Sequence, residues 1–419
     1  MSSFYTYRRN FTYFFTSFIW AGTLSVIPQI FFMSNYPEQK NILLSLFLLF
    51  GTSASIIGIL TSHINKFYFF INATKVRRNL LIAFSIFIIA VTFSILLLVK
   101  NLIAYFIFFI ILKFISNLFY NYIDRFFVAI SNQQQLKIHV RSNLLFQLLG
   151  IMIAPFYFSF FYSKTAQNII FIWGIAFFSG VFIFLDLKNS SLLSNSGKCT
   201  FPQKKLSLYN KLFITYTLLI LAATTMLTSI MIYILKDYYK FSNASTKGAA
   251  IIGVISVFAV ISVFMSGVQI KFTNSFKNNH VTSIKFFVIQ NLVSILLFIL
   301  TVFVFYFKIS SSYYLLLSFS AFCGISYGIF LNSTRNYASS DSKNNSGLIS
   351  IYNNLPNYAS LVGFFIIFIT SLLSKAFTMD FCKFMLLIIL IIFGLSLFVL
   401  IGIGLKNKQF QQEGGIAHE

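Results

Sequence analysis

The stretch LKNSSLLSNSGKCTFPQKKLSLYNK, from Leu187 to Lys211, is basic and rich in Ser and Lys, and it divides twelve apolar runs into six and six. The runs before it are Phe11 to Met33, Asn41 to Ser62, Leu80 to Val99, Leu102 to Ile123, Ser142 to Tyr162 and Gln167 to Leu187. Those after it are Leu212 to Leu235, Gly248 to Ile270, Ile284 to Phe307, Tyr313 to Tyr337, Gly347 to Leu373 and Cys382 to Leu405. Each has about the 20 residues that a helix needs to cross roughly 30 Å of hydrocarbon. With 58% hydrophobic and 9% charged residues, the composition argues against a soluble core. The expected fold is an all-α integral membrane protein of twelve transmembrane helices in two six-helix bundles. Its parts are an N-terminal bundle over 1–187, a linker over 188–211, a C-terminal bundle over 212–406 and a tail over 407–419. The first run follows Arg8 and Arg9 but exceeds a secretory h-region and lacks a small-residue cleavage site, so it reads as a retained span.

A formal charge of +23 in a soluble protein would suggest nucleic acid, but here the basic residues are sorted by side of the membrane. On the twelve-span reading, 21 Lys and Arg fall on the side of the N-terminus, nine on the other side, and one, Lys113, within a span. That bias places both termini and the linker in the cytoplasm. The charge therefore speaks of topology and anionic headgroups, with membrane lipids as partners and no nucleic acid. The 57 Phe and 22 Tyr read as lipid contact and helix packing. Cys199, Cys323 and Cys382 offer neither metal spacing nor a disulfide framework, and the four His fall in loops or the tail.

A membrane enzyme would need nucleophiles, metal ligands or paired carboxylates near one interface. The acidic residues Glu38, Asp124, Asp186, Asp237, Asp341, Asp380, Glu413 and Glu419 are isolated from one another, and none lies mid-span. No phosphate-binding GxxxxGK[ST] loop occurs, and the longest outer loop, Lys236 to Lys247, leaves no room for a catalytic lid. Neither metal nor cofactor is expected, and moving a small-molecule substrate is the economical account.

The two halves share punctuation. Gly58 is followed seven residues later by Asn65 at the end of the second run, and Gly267 by Asn274 at the end of the eighth. Asn tolerates the left-handed backbone of a tight reversal. Pro155 sits in the fifth run and Pro356 in the eleventh, each a point where a missing donor bends a helix and assists gating. Arg125 and Arg335 close the fourth and tenth runs on the cytoplasmic side.

With these features the chain resembles the major facilitator superfamily of twelve-span secondary transporters, with diverged motifs. The family's G-x-L-x-D-R-x-G-R loop is matched by Gly58, Leu60 and Lys66, while Ser62, His63 and Asn65 replace its Asp, Arg and second Gly. Lys75, Arg77 and Arg78 stand close by as substitutes for the lost arginines. The antiporter pattern G-x-x-x-G-P appears as Gly150 to Pro155 with Ala154 at its second small position. In the family this pattern accompanies exporters. The resemblance also implies a gate in which Asp124 pairs with Arg77, Arg78 or Lys75, against which stands a solvated carboxylate beside Arg125.

Lys113 lies eleven residues into the fourth run, near the midplane, where an ionised lysine costs roughly 2.5–3.5 kcal/mol on insertion scales. One reading is a lysine that snorkels or is held neutral; the other is a cationic anchor for an anionic group of the substrate. The family's R-x-x-Q-G places its arginine where this sequence has Lys113, with Ser116 and Asn117 following. Asn117, Gln147, Asn353 and Asn354 are further candidates for the substrate cavity, with helix-to-helix hydrogen bonding as the alternative. Gln290 and Asn291 are weaker ones, and Thr224 and Thr225 are expected to pack.

The expected function is secondary active transport of a small organic solute by alternating access, as an exporter, for instance of an anionic metabolite such as a carboxylate-type siderophore. Multidrug efflux and a lipid-linked saccharide flippase are the alternatives. A proton is the candidate coupling ion, although no mid-span carboxylate carries it. Abundant Phe, Lys, Asn and Ile suggest an AT-rich genome, and a bacterial inner membrane is the expected location.

Overall fold

The computed structural model describes the backbone of residues 2–64, 75–130, 133–189, 207–273, 280–309, 312–341, 346–377 and 379–415. Regular structure among them is helical throughout, as apolar surroundings demand. A segment in hydrocarbon has no water for its N–H and C=O groups and must satisfy them within its own helix. The first span is built of α1 (Ser2–Ala21) and α2 (Ile27–Asn35), joined by the π turn Gly22–Val26. The other spans of the first half are α3 (Lys40–Ile64), α4 (Lys75–Leu98), α5 (Leu102–Ile130), α6 (Gln133–Phe161) and α7 (Thr165–Asn189). The second half holds α8 (Leu208–Tyr233), extended by the π turn Ile234–Tyr238, then α9 (Ala244–Thr273) and α10 (His280–Phe307). It continues with α11 (Tyr313–Asp341), α12 (Ser346–Ala376) and α13 (Phe381–Gly415).

Among the described residues, 11 stretches are long and apolar enough to cross a membrane, which makes this a multi-pass integral membrane protein. The remaining expected span lies in α6, where the described apolar stretch is shorter, Asn143–Phe158. The side chains flanking that stretch, at 133–142 and at Ser159, lie outside the described residues, and the helix runs on past both ends of it. Its 29 residues still reach about 43 Å at ~1.5 Å per residue.

The break in the first span has a local cause. Pro28 stands at the start of α2, where it cannot donate to the preceding turn and its ring crowds the carbonyl four residues back. The ladder widens to a π turn just before it. Polar side chains bond the carbonyls there: Thr23 Oγ1 donates to Ile19 O at 2.8 Å, Ser25 Oγ to Ala21 O, and Gln29 Nε2 to Ser25 O. Pro155 and Pro356, by contrast, lie inside the unbroken helices α6 and α12.

The chain divides into two compact units, Met1–Thr200 and Phe201–Glu419. In the first, α1 packs on α6 and α7, α5 on α3 and α4, and α4 on α7. The second repeats this plan: α8 packs on α12 and α13, α11 on α9 and α10, and α10 on α13. Without a hydrophobic driving force between helices in lipid, such contacts depend on close backbone approach at small residues. A Cβ on Gly150 of α6 would lie 2.6 Å from the Phe14 carbonyl oxygen on α1, and one on Gly324 of α11 would lie 2.3 Å from that of Ile255 on α9. The Gly150 to Pro155 pattern thus has a packing role, seating α6 against α1. Helix α8 with its extension is 72% buried over its apolar window, whereas the window in α7 is 28% buried and offers Ile170, Phe177 and Phe178 outward.

These contacts predict opposite outcomes for one substitution at two sites. Gly324→Ala forces α11 away from α9 and should cost about 1–3 kcal/mol, the usual penalty of overpacking. Gly174→Ala, with nothing within 4 Å of the added carbon, should be neutral or gain about 0.5–1 kcal/mol of helix propensity. Thermal unfolding of the detergent-purified variants measures the difference.

Candidate functional site

Helix α5 carries Ile103, Ile107 and Ile111 on its exposed face and buries Tyr105, Phe109 and Leu112. Lys113 is turned inward with the latter and is 1% exposed, so it does not snorkel to a surface. Its Nζ lies 5.0 Å from the ring centroid of Trp20 on α1 and 5.4 Å from that of Phe109. It makes no hydrogen bond, and no carboxylate pairs with it among the described residues. A desolvated cation over an aromatic face gains about 2 kcal/mol or more, against the roughly 2.5–3.5 kcal/mol cost of placing the charge at this depth. The rings offset much of that cost while leaving all three N–H donors unfilled.

The ring beneath the amine is held firmly. Phe109 stacks on Phe47 of α3 at 3.7 Å, Phe47 on Tyr105 at 4.9 Å, and Tyr105 on Phe31 of α2 at 3.9 Å, with interplanar angles of 14°, 17° and 9°. This column joins three helices, so the aromatic seat of Lys113 is preorganised.

The other residues singled out from sequence fall around this seat, in the second unit, or outside the described side chains. Asn117, one turn along α5, donates from Nδ2 to the Lys113 carbonyl at 3.0 Å and to Ser55 Oγ on α3 at 2.8 Å. Gln147 on α6 donates to the Tyr120 hydroxyl at 2.8 Å. Both amides thus tie helices together, Asn117 one turn along α5 from Lys113 and Gln147 at Tyr120, two turns along it. Asn354 is buried on α12 in the second unit, whereas the side chain of Asn353 lies outside the described residues. Lys75, Arg77 and Arg78 open α4 and Asp124 sits in the last part of α5; their side chains, and therefore the pairing expected of them, lie outside the described residues.

Two features of the second unit escape a reading of the sequence. Asn291, a weak candidate there, is fully buried; its Oδ1 accepts from the Tyr216 hydroxyl at 2.9 Å and its Nδ2 donates to Ser333 Oγ at 2.8 Å, joining α8, α10 and α11. Arg335, expected at an interface, is 8% exposed, and its Nε is enclosed without a partner among the described residues. The signal available in sequence was only an arginine at the end of an apolar run. Thr224 back-bonds to Ile220 O at 2.9 Å in its own helix, in keeping with packing.

No protein-family model matches the chain, and no curated protein matches it in sequence. Solved structures match nearly its whole length. The nucleoside transporter NupG superposes with a TM-score of 0.61 at 13% identity, covering 95% of this chain and 98% of that one. A bacterial homologue of the iron transporter ferroportin, in an outward-facing state, gives 0.62 at 15% identity over 96% and 99%. The human organic anion transporter TETRAN gives 0.60 at 11% identity over 94% and 98%. At these identities the likeness shows the fold, and it is the major-facilitator-like, twelve-helix, two-bundle fold implied by the resemblance in sequence.

The Asn291 network yields a test of structural against functional roles. Asn291→Leu strands the Tyr216 hydroxyl in an apolar setting and should lower stability by about 1–2 kcal/mol, in the range of interhelical hydrogen bonds in membranes. A melting curve in detergent reads the loss, and Tyr216→Phe made on the same background should add little to it.

Proposed function

We propose that the chain is a secondary active transporter that moves a small organic anion across the membrane by alternating access, with Lys113 holding the anionic group of the solute. The observation that carries this reading is the buried amine of Lys113, seated on two aromatic faces, without a hydrogen-bond partner or a carboxylate among the described residues, in a fold shared with solved solute transporters. A carboxylate brought to that amine supplies charge-assisted hydrogen bonds, which form at about 2.7–2.9 Å and exceed neutral ones in strength. Trp20 and Phe109 then present apolar walls to the body of the solute. Asn117 and Gln147 position the helices around the seat and keep their carbonyl oxygens as further candidate contacts.

Export is the direction favoured by the Gly150 to Pro155 pattern, and a carboxylate-type siderophore is one solute of suitable chemistry. A cationic drug would meet repulsion at Lys113, which places multidrug efflux second. The sorting of Lys and Arg supports cytoplasmic termini, and a bacterial inner membrane fits the composition. Coupling to protons is part of the proposal, tested by the pH gradient below.

The test is a transport assay in oriented proteoliposomes, with a library of carboxylates and neutral solutes, with and without a pH gradient. Lys113→Gln should weaken the affinity for transported anions at least about tenfold, equivalent to ~1.4 kcal/mol. Lys113→Arg should retain part of it. Unaltered affinity of Lys113→Gln for every anionic solute would end the anchor reading.

A further inference from the structure

We infer that Arg335 and Asn332 on α11 form an oxyanion-binding site in the second unit, one that takes a carboxylate or phosphate group. The inference stands on residues of that unit alone and does not depend on Lys113. Asn332 and Arg335 are three residues apart in a helix and therefore share a face. Each is 8% exposed. Arginine carries five N–H donors in a planar fork and cannot be neutralised by losing a proton in a protein. Its Nε is fully enclosed and has no hydrogen-bond partner among the described residues. The Asn332 amide, one turn back on the same face, brings a donor and an acceptor.

An arginine at the end of a membrane span ordinarily snorkels, laying its stem on apolar surface with the head in water. Burial of more than nine-tenths of this residue is the opposite of that arrangement. Nor do the described side chains supply an anion, the side chain of Asp341 on the same helix lying outside them. Tyr352 on α12 lies within electrostatic reach of Arg335, but its hydroxyl is engaged with Thr334 Oγ1 at 2.9 Å. Its ring meets Phe213, one turn into α8, at 6.2 Å, and Phe213 in turn meets Tyr337 at 4.5 Å. Tyr352 of α12 is thus a neutral neighbour of the guanidinium whose hydroxyl is already engaged. The described carboxylates of this unit, Asp237 and Asp380, belong to the other end of it, at the C-terminal end of α8 and the N-terminal end of α13. A planar fork whose buried Nε donor is open, with an amide on the same helical face, matches a carboxylate or phosphate, which accepts two parallel N–H bonds.

This chemistry has two sources, a soluble anion or the headgroup of an anionic lipid, and two arms separate them. In the first, the delipidated full-length chain in maltoside detergent is titrated with citrate and with inorganic phosphate by microscale thermophoresis. In the second, phosphatidylglycerol is added and its retention is read by native mass spectrometry. All titrations use the Lys113→Gln background as well as the unaltered chain, so that failure of the anchor reading and failure of this one are distinguishable. At least one probe should bind in that background, and Arg335→Gln should weaken it at least about tenfold, with Arg335→Lys intermediate because it lacks the fork. Dependence on Arg335 with citrate or phosphate identifies a soluble anion; dependence with phosphatidylglycerol alone identifies a headgroup. If Arg335→Gln fails to fold, Asn332→Ala should weaken the same probe, and the probe should protect Arg335 of the unaltered chain from phenylglyoxal, as mapped by peptide mass spectrometry. Retention of every probe by folded Arg335→Gln, or absence of both the Asn332→Ala effect and the protection, overturns the site.

Discussion

Hydrocarbon offers no partner to a polar group, so each one that a span carries is satisfied inside the protein or waits for something to satisfy it. Most of this chain follows the first course. Serine and threonine hydroxyls turn back to carbonyls of their own helices, as at Thr52, Thr217 and Ser256. Amides reach across to neighbouring helices, as Asn117 does to Ser55 and Asn291 to Ser333. Among the described buried polar atoms that lack a hydrogen bond, the amine of Lys113 and the Nε of Arg335 are the charged ones. An exception at the cost of a buried charge is informative because it is retained amid so many groups that are not.

The architecture and the chemistry divide differently between the halves. The same helix pairings recur in both units, with α1 on α6 answered by α8 on α12, and α3 on α5 by α9 on α11. Close approach at glycine occurs in both, through Gly150 in one and Gly324 in the other. What each half places inside this frame is its own. The first sets an amine on a column of stacked rings running from Phe109 to Phe31. The second spends its polar residues on the Tyr216, Asn291 and Ser333 network and on the guanidinium of Arg335. A repeat that preserves packing while its polar contents diverge is consistent with a scaffold whose specificity rests on few side chains.

Much of the fold was legible in sequence because the membrane imposes a length and an apolarity on every crossing. Six runs on either side of Leu187 to Lys211 were enough to set the helix order. The interruption of the first span was not read, although Pro28 was its visible cause, since a π turn depends on how neighbouring side chains take up the freed carbonyls. Lys113 stood out as the lone charge within a run. Its aromatic seat did not, because Trp20, Phe47 and Phe109 come from three helices. Arg335 was hidden by position, since an arginine at the end of a run looks solvated, and its burial, with Tyr352 of α12 in electrostatic reach, is a property of the packed unit.

The central claim is that the Lys113 amine is a seat for an anion. A cryo-electron microscopy structure of the chain with its most avidly transported carboxylate bound tests it most directly. The account predicts a carboxylate oxygen at about 2.7–2.9 Å from Nζ, with the body of the solute against Trp20 or Phe109. A bound solute with its carboxylate elsewhere, and with Nζ still over the two rings at 5.0 and 5.4 Å, would contradict it.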